Sequence, residues 1–422
     1  MHKFVWLGLA ALTLAMAGID ELAILPMDDP AIQYTKGPVH DRVSGLQQRL
    51  AKGEIKLAHD NELGYLPALL QALGVSPDSQ VLVFSKTSFQ APKIAPRTPR
   101  ALYHSDDIAI GYVRGGDVLE LAAVDPQQGV VFYTLDQWEA TRPALVRRGE
   151  CFQCHVGAFT LGVPGLVVRS VHAERTGYAL LDAPAYVTDH RSPLKQRWGG
   201  WYVTGTHGTQ LHMGNQTVEN RDDPELDLSL GANVTDLAHY FDRYAYLRPS
   251  SDIVSLMMLE HKTRMTNLIT RLGWETRLRV DDARLAATAE ELVSYMLFAG
   301  ETPLTAPIEG SEAYAAEFMA QGPRDRQGRS LRQLDMTTRM FRYPCSFLIY
   351  SAQFDGLPQP AKDRVYRRLY EVLSGHDQGA AYARLSQPDR QAVLEILRDT
   401  KKDLPPYWTA ASQSDLAAQG WR

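Results

Sequence analysis

The spacing of apolar residues along the chain changes period twice. Over residues 18–76 it is helical: SGLQQRLAKGEI and NELGYLPALLQALG carry Leu three and four residues apart, and the second stretch runs into Gly74. This predicts two short helices. From residue 77 to 234 the pattern shortens to runs rich in Val, Ile, Tyr and Phe, namely VLVFSK, IAIGYV, DVLELAAV and VVFYTL. Turn residues separate them, and Gly115-Gly116 offers the positive φ that a two-residue hairpin turn demands. A β-meander is expected, with weaker strand signals continuing in GLVVRSV, GYALL and GGWYVTGTH. Over residues 235–422 the helical period returns in DIVSLMMLEHKTRMTNLITRLG, AATAEELVSYMLFAG, KDRVYRRLYEVLSG and PDRQAVLEILRDTKK. The expected fold class is therefore α+β: a short helical segment, a β-rich region and a mostly α-helical C-terminal region, without internal repeats.

Composition narrows the functional classes. With 45% hydrophobic and 22% charged residues among 422, the chain has the balance of a folded protein. A net charge of -5 provides no broad basic surface, so nucleic acid is not an expected partner. The opening MHKFVWLGLAALTLAMAGID places His2 and Lys3 before an apolar run that ends at Ala15-Met16-Ala17. Residues 1–17 read as a cleaved signal peptide, because the run is shorter than the ~20 residues that span a bilayer. The mature chain is then expected to be periplasmic or otherwise extracytoplasmic, with no integral membrane segment. The acidic stretch ENRDDPELDLSLGAN lacks the spacing of an EF-hand and reads as a solvated loop rather than a Ca²⁺ site.

Three cysteines are too few for a disulfide framework, yet two of them lie in Cys151-Phe152-Gln153-Cys154-His155. This stretch resembles the attachment motif of c-type cytochromes. The resemblance implies one covalent haem c, with Cys151 and Cys154 forming thioethers to its vinyl groups and His155 as the proximal iron ligand. A zinc site would need a second Cys or His pair at finger or ribbon spacing, which the sequence lacks. A redox-active dithiol would belong to a βαβ setting that these flanks do not resemble. Attachment of haem to c-type cytochromes takes place outside the cytoplasm, in agreement with the leader. The likeness is confined to the motif: small cytochrome c domains are helical, whereas here a largely β region precedes it.

Two places offer a sixth iron ligand. One is the loop THGTQLHMGN, with His207, His212 and Met213; the other is the helix carrying Met257, Met258, His261 and Met265. Met213 and His212 are the first candidates and His261 the next, against an ordinary packing role for each and against an open site. Arg147 and Arg148 directly precede the motif and Arg169 follows it. They are candidate partners for the haem propionates, or solvated surface charges. Trp198, Trp201 and Tyr202 wall a pocket or simply pack, and Cys345 in apolar flanks reads as an inert buried thiol. The expected function is that of an exported monohaem c-type cytochrome transferring one electron at a time to a redox partner protein. The alternative is a haem enzyme or sensor acting on peroxide or a small nitrogen or oxygen species at an open distal site, a use for so much chain beyond a cytochrome domain.

Overall fold

The computed structural model describes residues 23–408, so the expected leader lies outside the described residues. Near the start, α1 (Arg42–Ala51) is capped by the Asp41 carboxylate, which accepts from Val43 N and Ser44 N. Then α2 (Leu66–Leu73) stops where Gly74 turns left-handed at φ 56°. Both helices were legible from their Leu spacing.

The meander follows as β1 (Val81–Val83), β2 (Arg100–His104), β3 (Ile108–Tyr112), β4 (Val118–Asp125), β5 (Gly129–Asp136) and β6 (Leu145–Arg147). A single helical turn, α3 (Phe152–His155), comes next, then a separate antiparallel pair, β7 (Arg169–Val171) and β8 (Ala185–Val187). Finally β9 (Trp201–Tyr202) returns beside β1, giving one antiparallel sheet in the order β6-β5-β4-β3-β2-β1-β9. The two-residue hairpin expected at Gly115-Gly116 is not formed. The link between β3 and β4 is longer, and only Gly115 takes a positive φ, 67°. GYALL forms no strand and contributes one isolated bridge, Ala173 to Ala179.

Alternation along the strands makes two unlike faces. One carries Tyr103, Ile110, Leu121, Val131 and Tyr133, and α1 and α2 cover it through Val43, Leu46, Leu69 and Leu73. The other is built from smaller side chains, Ala109, Gly111 and Ala122, with Phe132 beside them. Past this second face runs α4 (Ile253–Leu278), whose Leu259, Lys262, Thr263 and Thr266 share a cavity with Ala109, Ala122 and Leu166. Gly129 approaches α4 so closely that a Cβ there would collide with Thr270. Around α4 pack α5 (Asp282–Met296), α6 (Glu312–Ala320), α7 (Ala352–Asp355), α8 (Gln359–Leu373) and α9 (Gln387–Thr400).

Of the 26 residues in α4, 21 are buried. A helix enclosed on all sides is usually apolar all round. This one is not, and it buries Glu260, His261, Lys262, Asn267, Arg271 and Glu275. The sheet and helices meet without a seam at residue 235, because Val81, Val83 and Trp201 belong to the same core as α4, α5 and α8. The fold is α+β, and no helix among the described residues is long and apolar enough to cross a membrane.

Candidate functional site

The chain leaves the sheet edge late. After β6, Arg148 N still donates to Phe132 O at 2.9 Å, and only then does the backbone turn into α3. There Cys154 N and His155 N both donate to Cys151 O, at 3.2 and 3.0 Å. Cys151, Cys154 and His155 thus share one face of a single turn. Both thiols are free; Cys154 is exposed, while Cys151 leans against Phe132, Ala122 and Val130. Burial pushes the Cys151 thiol up to about 11, with Glu120 and Glu150 adding to the effect and Arg148 opposing it. A thiol so raised is protonated at neutral pH, the reverse of the low thiolate pKa that dithiol redox chemistry requires.

The His155 ring tilts against Phe132 with centroids 4.8 Å apart. Its Nδ1 lies 2.9 Å from Gly165 O, and Gly165 N donates back to His155 O at 2.9 Å. Since a carbonyl can only accept, Nδ1 carries the proton. Burial lowers the pKa of the ring below its ordinary value, so it is neutral at pH 7. Nε2 is left with a lone pair, and no hydrogen bond within the described residues reaches it. A ring pinned through one nitrogen and open at the other has the tautomer and orientation of a metal-binding histidine.

Beside this turn, on the face of small side chains, lies a charged pair absent from the sequence expectations. Arg100 forms an ion pair with Glu120, and Glu120 Oε1 also accepts from Ser88 Oγ at 2.6 Å and from Gln90 Nε2 at 2.8 Å. Arg100 lies across Gly111, where any Cβ would meet its guanidinium. Both charges are near enough to His155 to act on its protonation. The signal was a glycine inside the run IAIGYV, which marks a close approach within a strand.

The remaining candidates scatter. Arg147 points to the opposite face, where it donates to Tyr34 O and covers the Tyr34 ring at 5.1 Å. Arg148 stays on the side of Cys151, with its Nε on Thr134 Oγ1 at 2.8 Å. Arg169 stacks over the exposed Phe159 ring at 5.9 Å. Met213 is buried, its Sδ accepting from Ser170 Oγ at 3.5 Å. His212 accepts from Gly214 N through Nδ1 at 3.0 Å, so its proton sits on Nε2, a buried donor without a partner. Burial brings His212 down to about 3. His261 uses both ring nitrogens, Nδ1 on His190 Nδ1 at 3.0 Å and Nε2 on Ser346 Oγ at 2.8 Å, and leaves no lone pair over. No hydrogen bond or ring contact joins Met213, His212 or His261 to His155 in the described structure.

Among the aromatic residues, Trp201 Nε1 donates to Arg169 O at 2.8 Å, and Trp198 is fully buried at a left-handed φ of 67°. Cys345 is buried, and its thiol is held far above its ordinary pKa by that burial. Among the described residues no group of three or more His, Cys, Asp or Glu is placed to hold a metal ion by itself. Comparison of the chain with family models, with curated proteins and with solved structures finds no match.

Proposed function

We propose that this chain is an exported one-electron carrier holding a single covalent haem c, attached through Cys151 and Cys154 with His155 as its proximal ligand. The observation that carries the reading is the His155 ring, neutral, fixed at Nδ1 by Gly165 O and open at Nε2, on the same turn as the free thiols of Cys151 and Cys154. The donor set fits the group: two thiols at attachment spacing and one imidazole facing the same way. When bound, the haem supplies an iron that alternates between Fe(III) and Fe(II). His155 would hold that iron through Nε2, with Phe132 packed against the imidazole. Arg148, on the Cys151 side, would be the guanidinium available to a propionate, whereas Arg147 is engaged by Tyr34 on the far face. The expected location is extracytoplasmic and the expected partner a redox protein.

The test is a visible spectrum of the exported protein, oxidised, reduced, and reduced under CO, with haem staining on a denaturing gel. A Soret band, stain that survives denaturation, and its loss in the Cys151→Ser/Cys154→Ser double variant support attachment. Stain retained at full strength in that variant overturns it. A second reading, a haem enzyme or sensor, rests on the absence, among the described residues, of any contact from Met213, His212 or His261 to His155, which would leave the far side of the iron open. A CO-induced shift favours this second reading; a spectrum indifferent to CO favours electron transfer.

A further inference from the structure

The ring of His155 is fixed by Gly165, but Gly165 lies in a segment without regular structure, and something must fix that segment in turn. The structure supplies the fixture from α4, more than a hundred residues later in the chain. Asn267, 2% exposed, treats Leu166 as a neighbouring strand would: its Oδ1 accepts from Leu166 N at 3.2 Å and its Nδ2 donates to Leu166 O at 2.8 Å. One turn further on, Arg271 donates from Nη1 to Leu161 O at 3.1 Å, and its Nε is held by Glu275 Oε1 at 2.9 Å. The contact with Asn267 is tight enough that a Cβ on Gly165 would collide with Oδ1. A continuous path of hydrogen bonds therefore runs from Asn267 to Leu166, through the adjoining Gly165, to His155 Nδ1.

We propose that Asn267, with Arg271 one turn on, is the positioning residue that orients the His155 ring. The inference rests on the haem reading above and deepens it, because a ligand's hydrogen-bonded support sets its aim and its basicity. A buried amide satisfied on both sides by one residue's backbone is also poorly replaceable, since its loss strands a backbone donor and an acceptor.

The experiment compares Asn267→Leu with Leu268→Ala, a packing change at the next position of α4, whose side chain makes no hydrogen bond to Leu161 or Leu166. The primary readout is the acid titration of the haem spectrum, which reports the proton concentration at which His155 leaves the iron. In Asn267→Leu that transition is expected at a proton concentration about 10- to 100-fold lower than in the wild type. Leu268→Ala should lose stability with the transition unmoved. Gly165→Ala disturbs the same contact from its other side and should reproduce the shift, which keeps the test valid if Asn267→Leu does not fold. The second readout is amide exchange at Gly165, whose N–H donates to His155 O; its protection should fall in Asn267→Leu and hold in Leu268→Ala. A titration shift equal in all the variants, or unchanged Gly165 protection, overturns the positioning role. Wild-type protein that stains for no haem overturns the functional reading instead, while the exchange comparison still decides the clamp.

Discussion

At the scale of single residues, burial decides which groups are available for chemistry. His155 and His261 are both neutral imidazoles, but one keeps a nitrogen open and the other has spent both. His261 also carries a pH signature. Burial lowers it to about 3, so between that value and the ordinary histidine range the unfolded chain binds a proton that the folded chain refuses. Stability contributed by the neutral ring is thus complete above pH 6.5 and drains away as the pH falls, by up to about 1.4 kcal/mol per pH unit. His261→Phe is expected to flatten the fall of denaturation midpoint between pH 6 and pH 4, as measured by urea titration at each pH. A midpoint that falls as steeply as in the wild type would show that other buried histidines, His190 and His212 among them, carry the effect. The motif itself was legible, because three chemically demanding residues sit on one turn. Arg100 and Glu120 were not, since charges within strands look like solvent-facing positions until the pairing register places them beside His155.

At the scale of elements, α4 departs furthest from what its sequence suggests. The helical period was plain, but periodicity cannot say that a helix with this many polar residues is enclosed on every side. Its buried charged and amide groups are tolerated because partners from other segments reach them, among them Arg197 for Glu260, Ser346 for His261 and the Leu166 backbone for Asn267. Glu260, fully buried, pairs with Arg197 at 3.0 Å, and burial raises it to about 7 despite that guanidinium. Removing one partner of a buried pair leaves the other charge uncompensated, at a cost of about 3–5 kcal/mol. Arg197→Met is expected to lose about that much stability at pH 8, by chemical denaturation. The loss should be smaller at pH 5, where Glu260 takes up a proton and no longer needs a counter-charge. Equal losses at the two pH values would show that Arg197 acts through its bonds to the His190 and Ser192 carbonyls instead. Strand β2 escaped the sequence reading for a related reason: RALYH begins and ends on residues that prefer water, and only the neighbours on each side, β1 and β3, make it a strand.

At the scale of the whole molecule, the β-rich and helical regions do not behave as separable parts. The sheet face beside the motif is completed by α4, and Val81, Val83 and Trp201 share a core with the helices. A chain ending at residue 252 would therefore expose that apolar face together with the backbone groups of Leu161 and Leu166. It is expected to show no cooperative thermal transition by circular dichroism, whereas the full chain should unfold in one. A sharp transition in the fragment would restore the boundary near residue 235 that the change of sequence period suggests.

The bond between Asn267 and Leu166 spans 101 residues, which gives the site a history as well as a geometry. A chain is made from its N-terminus, so the two thiols emerge long before the helix that disciplines their neighbour exists. For that interval the motif is a loose tether. On the proposed haem reading, a bulky planar group would be taken up then without having to enter a closed cleft, and the later arrival of α4 would bring Asn267 to the Leu166 backbone. Closing so distant a contact is among the slower events of folding, so the support of the His155 ring would be completed after the motif itself has formed.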